Sequence, residues 1–404
     1  MKLKNHNRLW FIVLPKKEAN YKSNVKNLGF VSMFTDISSE MIFGILPVFM
    51  IDELGLGKGI FGFIEGLGES VGYGSRTFSG ALSDKLGRRK QLVFLGYFLS
   101  TVAKPLFAIS TAWQHVLTVR ISDRLGKGIR NSPRDALLSD SVKETQVGRA
   151  FGLHRSLDSV GAVVGPLIAF LLIPLLEIRE IFWISLIPAI VALVIILFFV
   201  KEKRIIPRDA TVLSNFREVL RGRFLLFMIV FTVFSLGAFN FSFILLEGMD
   251  AGLATALIPI VYVVINIAHA ISGYPAGILS DRIGPQRVLL IGFGLFFAVA
   301  LLGFSSADTW YVAIAMASIF GIYLGVSITS QKTIVSKLAS ENLRGTAFGI
   351  YYLFIGVSFL IANTVFGVLL ENFGTQQAYG YSMGMCGVAI FMLLVVSRQK
   401  LSKA

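Results

Sequence analysis

Gly80-Ala81-Leu82-Ser83-Asp84-Lys85-Leu86-Gly87 returns 197 residues later as Gly277-Ile278-Leu279-Ser280-Asp281-Arg282-Ile283-Gly284. At the same offset Gly148-Arg149-Ala150-Phe151-Gly152 falls on Gly345-Thr346-Ala347-Phe348-Gly349. Two separate matches at one offset divide the chain into two related halves. Each matched stretch follows or precedes an apolar run in the same order, so the halves run in the same sense. Such a parallel repeat is related by an axis along the membrane normal, and two bundles built this way can rock about a site between them.

The apolar runs give the repeat its solvent. The chain has 404 residues, 54% hydrophobic and only 15% charged, too little charge to cover a water-exposed surface of this size. A helix crosses the hydrocarbon with about 20 mostly apolar residues. Twelve segments qualify: 28–50, 59–82, 91–110, 113–137, 149–172, 181–200, 224–247, 252–276, 288–305, 310–336, 343–370 and 378–397. The expected fold is therefore an all-α membrane protein with two six-helix bundles at 28–200 and 224–397. A basic tail (1–27), a linker (201–223) and a short tail (398–404) complete the chain. Leu9–Leu14 is too short an apolar run for a signal peptide and no small-residue cleavage site follows it. The one cysteine, Cys386, excludes an internal disulfide and a cysteine metal cluster.

The net charge of +14 does not point to nucleic acid, because the basic residues are sorted by topology. Lys and Arg crowd the N-terminal tail, the 201–223 linker and the loop with Lys85, Arg88, Arg89 and Lys90. The opposite loops carry Asp52, Glu53, Glu177, Glu247, Asp250 and Glu371. By the positive-inside rule both termini and the linker are cytoplasmic, which requires an even helix count. The basic loops would meet lipid phosphates on the cytoplasmic side.

Residues 80–92, Gly-Ala-Leu-Ser-Asp-Lys-Leu-Gly-Arg-Arg-Lys-Gln-Leu, resemble the signature loop between the second and third helices of the major facilitator superfamily, and 277–287 resemble its second copy. The resemblance spans 28–397 and extends at 123–135 to a bacterial subgroup, which implies a bacterial inner membrane as the location. It implies the superfamily fold, a solute site midway through the membrane, and gating at the cytoplasmic side through Gly80, Asp84, Gly87, Arg88 and Asp281. In the fifth helix Gly152, Gly161, Gly165 and Pro166 resemble the superfamily's antiporter motif, whose closing glycines are here Ala169 and Phe170. They also form a small-residue packing face. Arg120 stands where the superfamily often has an arginine linked to proton coupling, without the usual glycine after it.

Ionisable residues at membrane depth are costly and mark functional sites. They concentrate in the first six spans. Asp36 and Glu40 share a face of the first helix; Glu65 and Glu69 share one on the second, with Arg76 two turns on; Arg120, Asp123, Arg124 and Lys127 form a stripe on the fourth; Arg155 and Asp158 are neighbours on the fifth. The cores of the last six spans offer His269, Asn240, Asn266, Gln331 and Asn363 instead. Coupling or substrate contact is expected from Asp36, Glu40, Glu69, Arg76, Arg120, Asp123, Arg155, Asp158, His269 and Asn266. The bland alternatives are an internal ion-pair network, snorkelling at helix ends, a wet vestibule at Glu65 and a kink site at Lys104 before Pro105. Phe231, Phe234, Phe239, Phe241 and Phe243 crowd the seventh helix, and Tyr262, Tyr351 and Tyr352 could line a pocket.

These features point to a monomeric secondary transporter working by alternating access, coupled to a proton or another ion and leaning to efflux of an amphipathic compound. The surplus of Arg76, Arg120 and Arg155 supports a second reading, import of an organic anion or iron chelate. Passage of a divalent metal by Asp36, Glu40 and His269 is a third. The chain contains no phosphate-binding loop ending in Lys-Ser/Thr, which disfavours a primary pump. A non-transporting receptor would ordinarily add a soluble output domain, and no nucleophile–base spacing suggests an enzyme. No cofactor or metal is implied.

Overall fold

A computed structural model describes residues 22–86, 88–142, 147–202, 216–305, 309–339 and 343–397; within these, the side chains at 22, 80–81, 84–85, 147–149 and 344 lie outside the description. Helix is the only way to satisfy every backbone group within one segment in lipid, and the described chain is a helical bundle. Its helices are α1 (Lys22–Phe43), α2 (Lys58–Leu86), α3 (Arg89–Ala103), α4 (Trp113–Asp140), α5 (Val147–Leu172) and α6 (Ile178–Phe199) in the first half. The second half has α7 (Gly222–Gly237), α8 (Ile258–Ile283), α9 (Pro285–Phe304), α10 (Trp310–Leu338), α11 (Arg344–Asn372) and α12 (Thr375–Ser397).

Ten segments are long and apolar enough to cross a membrane by composition alone. The two long helices that are not among them are α2 and α4, the two that hold the stripes of Glu65, Glu69 and Arg76 and of Arg120 to Arg130. Their charge is tolerable because it turns inward, while Leu171, Ile187, Phe198 and Phe391 face outward on the bundle surface.

The repeat governs the packing. In the first half α1 packs on α5 and α6, and α4 on α2 and α3; in the second half α7 packs on α11 and α12, and α10 on α8 and α9. These are the same pairs six helices on. The halves meet through α2 on α11 and, reciprocally, α5 on α8. Glycine sets how closely they approach: a Cβ on Gly66 would lie 3.0 Å from the Leu360 backbone, and one on Gly62 would run into the Asn363 carbonyl.

Both lead helices are broken at matching places. Pro47 cannot donate to residue 43, so α1 ends at Phe43 and resumes as a short turn, Leu46–Val48, and a π-helical turn, Phe49–Glu53. In the other half α7 stops at Gly237 and resumes at Phe241–Asp250. Asn240 caps the resumed helix: its Oδ1 accepts from Ser242 N at 3.0 Å, and its own N–H donates to Asn363 Oδ1 at 2.7 Å. Interrupted helices in corresponding places of two halves mark the binding region of transporters. The seventh-helix phenylalanines Phe231, Phe234, Phe239 and Phe243 are core, with Phe234 stacked on Phe293 at 3.8 Å.

Candidate functional site

A cavity of about 1020 Å³ lies between the halves. Its lining runs from Asp36 in the middle of α1 to Arg134, Phe151, Tyr274 and Thr333, which sit toward one end of α4, α5, α8 and α10. That is the end bearing the basic α2–α3 loop. The acidic-loop end is tied shut across the halves. Lys58 Nζ meets Asp250 Oδ2 at 2.7 Å, and Gly59 N–H donates to Glu371 Oε2 at 2.6 Å. Deeper in, the Tyr262 hydroxyl on α8 donates to Glu40 on α1. Access is therefore one-sided.

Two glycines of α5 place the α1 carboxyls. A Cβ on Gly161 would lie 3.0 Å from Asp36 Cβ, and one on Gly165 would lie 3.0 Å from Glu40 Cβ. Helix α5 can therefore lie directly against the face where both acids emerge. Asp36 then lies beside Asp158 on α5, and both line the cavity. Asp158 also accepts from Ser32 Oγ at 2.6 Å and from Arg155 Nη1 at 2.9 Å. Two adjacent carboxylates repel, so the Asp36–Asp158 pair is a place where a proton can be held between them. Glu40 faces the second half, bonded to Tyr262, whose ring stacks on Phe241 at 4.5 Å. Lys127 of α4 faces the same cavity, close enough to Asp36 and Glu40 to interact with both.

Behind this layer lies a ladder of ion pairs. Arg120 Nη2 meets Glu65 Oε2 at 2.6 Å, and one turn on Arg124 Nη2 meets Glu69 Oε1 at 2.6 Å. Gly68 leaves room for Arg120, and the Phe43 ring lies under both guanidinium groups, 4.3 and 4.9 Å away. Glu65 also accepts from Ser242 Oγ at 3.4 Å, a link to the second half. Asp123 accepts from Ser100, and the fully buried Lys104 donates to Ser38 Oγ at 3.2 Å and the Thr35 carbonyl at 3.4 Å.

The expected site residues thus separate. Asp36, Arg76, Arg155, Asp158 and His269 line the cavity; Glu40, one turn beyond Asp36, is bonded to Tyr262 and is not part of the lining; Glu69, Arg120 and Asp123 lie behind it. Asn266 bridges the halves by donating to the Ala162 carbonyl at 3.1 Å. Arg155, read as deep, has a side chain 62% exposed at the mouth. Gly152 stands in open space on the cavity wall, and Pro166 packs near Gly44. Of the gating residues, Gly87 and the Asp84 side chain lie outside the described residues; Gly80 is helical, and Arg88 and Asp281 are exposed at the open end. Glu65, expected in a wet vestibule, is instead buried against Arg120; Lys104, expected as a kink-site residue, is fully buried; and Lys332, not among the expected site residues, lines the cavity. The signal for Glu65 was present: Glu65 and Glu69 are four apart on one helix, Arg120 and Arg124 four apart on another, and equal spacing lets two rungs pair at once. Among the described residues no group of three or more His, Cys, Asp or Glu side chains could hold a metal ion.

The family model of the Major Facilitator Superfamily matches residues 28–268 and 233–404. The uncharacterized MFS-type transporter MJ1317 of Methanocaldococcus jannaschii is 33% identical over 392 residues, which covers 94% of this chain and 96% of its own. The multidrug resistance protein MdtG of Proteus mirabilis is 26% identical over 70% of this chain and 73% of its own. Among solved structures, the nucleoside transporter NupG superposes with a TM-score of 0.77 at 13% identity, over 93% of this chain and 99% of that one. A bacterial homolog of the human lysosomal transporter Spinster, inward-facing and occupied, gives 0.76 at 15% identity over 94% and 98%. With a matched repeat, reciprocal half-to-half packing and a cavity between the bundles, the chain belongs to the Major Facilitator Superfamily.

Proposed function

We propose that this transporter is a proton-coupled carrier that exports a small amphipathic compound by alternating access, with coupling seated in the first half. The observation that supports it is one-sided access to a cavity lined by Asp36 and Asp158, with Glu40 one helical turn beyond Asp36. Protonation of these carboxyls alters the bond between Glu40 and Tyr262, which joins α1 to α8 across the halves. A proton taken up there is thus linked to the contact that must break when the bundles rock.

In this reading the basic end is cytoplasmic, the structure is the inward-facing state, and Asp84, Arg88 and Asp281 latch the opposite state. The protein works as a monomer in the cytoplasmic membrane, without a cofactor and without enzymatic chemistry. The export direction is supported by Gly161 and Gly165 of the motif on α5 and by the multidrug resistance proteins among the relatives. Proteoliposomes loaded with amphipathic dyes and given an imposed pH gradient test it. Gradient-driven movement is the expected result; movement indifferent to the gradient would sink the coupling.

A further inference from the structure

The cavity wall is not electrically balanced. Six lining residues are Arg or Lys and three are Asp. Arg134 is bonded to Asp135 at 2.8 Å and Arg155 to Asp158 at 2.9 Å. Arg130 lies over the Tyr97 ring at 4.3 Å. Arg76, Lys127 and Lys332 have no carboxylate oxygen within 4.0 Å among the described residues; Asp36 and Glu40 act on Lys127 only from farther away, and Arg76 lies over Tyr73. These three cations come from α2, α4 and α10, so both halves contribute, and Arg76 and Lys332 act on each other across the space between them.

Like charges facing one cavity at membrane depth repel, and the low-dielectric surroundings make that repulsion larger than in water. An anion entering from the open end removes the repulsion and gains charge-assisted hydrogen bonds from a guanidinium and two ammonium groups. The same wall offers a flat surface. Tyr73 stacks on Tyr352 with ring centroids 5.9 Å apart, Arg76 lies 5.2 Å over Tyr73, and Tyr352 faces the cavity. A planar apolar group beside the charged head would lie on that tyrosine.

We propose that the cavity binds a small organic anion, its carboxylate, phosphate or sulfonate head held between Arg76, Lys127 and Lys332 and its flat apolar part against Tyr352. This deepens the carrier reading above and rests on it for the role of the site. It assigns the amphipathic cargo a negative charge, and it makes Lys332 of the otherwise neutral second half a binding residue.

The test is a thermal-shift titration of the full chain in detergent, at fixed ionic strength, with phenyl phosphate, benzyl alcohol and benzylamine as matched anionic, neutral and cationic probes. A ligand of the folded state raises its melting temperature. Phenyl phosphate should stabilise the protein, and the other two should not. Lys127→Gln, Lys332→Gln and Arg76→Gln should each weaken the phenyl phosphate effect by about tenfold, the loss of one charged hydrogen bond. The charge-keeping Lys127→Arg and Lys332→Arg guard against misfolding and should retain it. Arg282→Gln, exposed at the same end but outside the cavity, should leave it unchanged. No stabilisation by phenyl phosphate, equal stabilisation by benzylamine, or an effect that survives the Lys127→Gln/Lys332→Gln pair would overturn the assignment. So would stabilisation by phosphatidylglycerol alone, which would make the ligand a lipid headgroup. Gradient-driven flux of a cationic dye would defeat the anion site and leave the carrier intact; anion binding without flux in proteoliposomes would do the reverse.

Discussion

Arg120 of α4 donates to Glu65 of α2 at 2.6 Å with side chains only 1% and 2% exposed, so a full ion pair is enclosed where neither charge has water to fall back on. Its neighbour, Arg124 with Glu69, repeats it one turn away. The pairs lock α2 to α4 inside the first half, and Ser242 touches Glu65 from the second half. Enclosed pairs of this kind contribute little net stability as pairs but are severe to break singly.

Glu65→Gln should therefore cost about 3–5 kcal/mol, because it strands the Arg120 charge. The double variant Glu65→Gln/Arg120→Met should recover part of that loss. Thermal melts of the detergent-purified proteins give the comparison; a Glu65→Gln variant as stable as the parent would show that Arg120 does not depend on this partner.

How much of this was legible in the sequence follows from what sequence periodicity encodes. The repeat at residues 80 and 277 and the apolar spans gave the two-bundle fold, because hydrophobic runs and motif spacing are local properties of the chain. The four-residue spacing of Asp36 and Glu40 put both on one face; the structure brings Asp36 to the cavity and Glu40 to Tyr262 of the other half. Partnership is not local. Tyr262 is 222 residues from Glu40, and Lys332 enters the cavity from a helix end where a solvated lysine is the ordinary expectation. Lys104 looked like a residue beside a proline kink; its burial against Ser38 depends on how α1 lies over the turn after α3, which composition does not reveal.

The glycines of α5 should part company on substitution. Gly161→Ala and Gly165→Ala place a methyl against the α1 backbone and the Asp36 or Glu40 Cβ. Each should lower stability by about 1–3 kcal/mol, the usual cost of overpacking. Gly152→Ala meets nothing within 4 Å and should be neutral, or stabilising by up to about 1 kcal/mol from helix propensity. Melting temperatures of the three variants check the order; equal effects at all three positions would contradict it.

One-sided access has a direct chemical readout. The single cysteine, Cys386, is fully buried, so the folded protein should resist a maleimide. In a Cys386→Ser background, Gly273→Cys on the cavity wall should label rapidly with a membrane-impermeant maleimide applied from the basic end, and Ile64→Cys, wholly buried, should not. Lys58→Ala with Glu371→Ala removes closing contacts at the acidic end. Partly exposed contacts of this kind contribute about 0.2–1 kcal/mol each, so Gly273→Cys labelling should slow by about two- to tenfold as the population shifts. Labelling of Gly273→Cys from the acidic end alone would reverse the assignment of the open side.

The central claim is that the first half couples transport to protons through Asp36 and Glu40, and one paired flux measurement addresses it most directly. Proteoliposomes with the parent and with Asp36→Asn/Glu40→Gln are compared in two modes, accumulation driven by an imposed pH gradient and solute exchange without a gradient. The double variant should lose gradient-driven accumulation and keep exchange, because binding and rocking remain while the proton no longer has a seat. Gradient-driven accumulation at the parent level in the double variant would contradict the account.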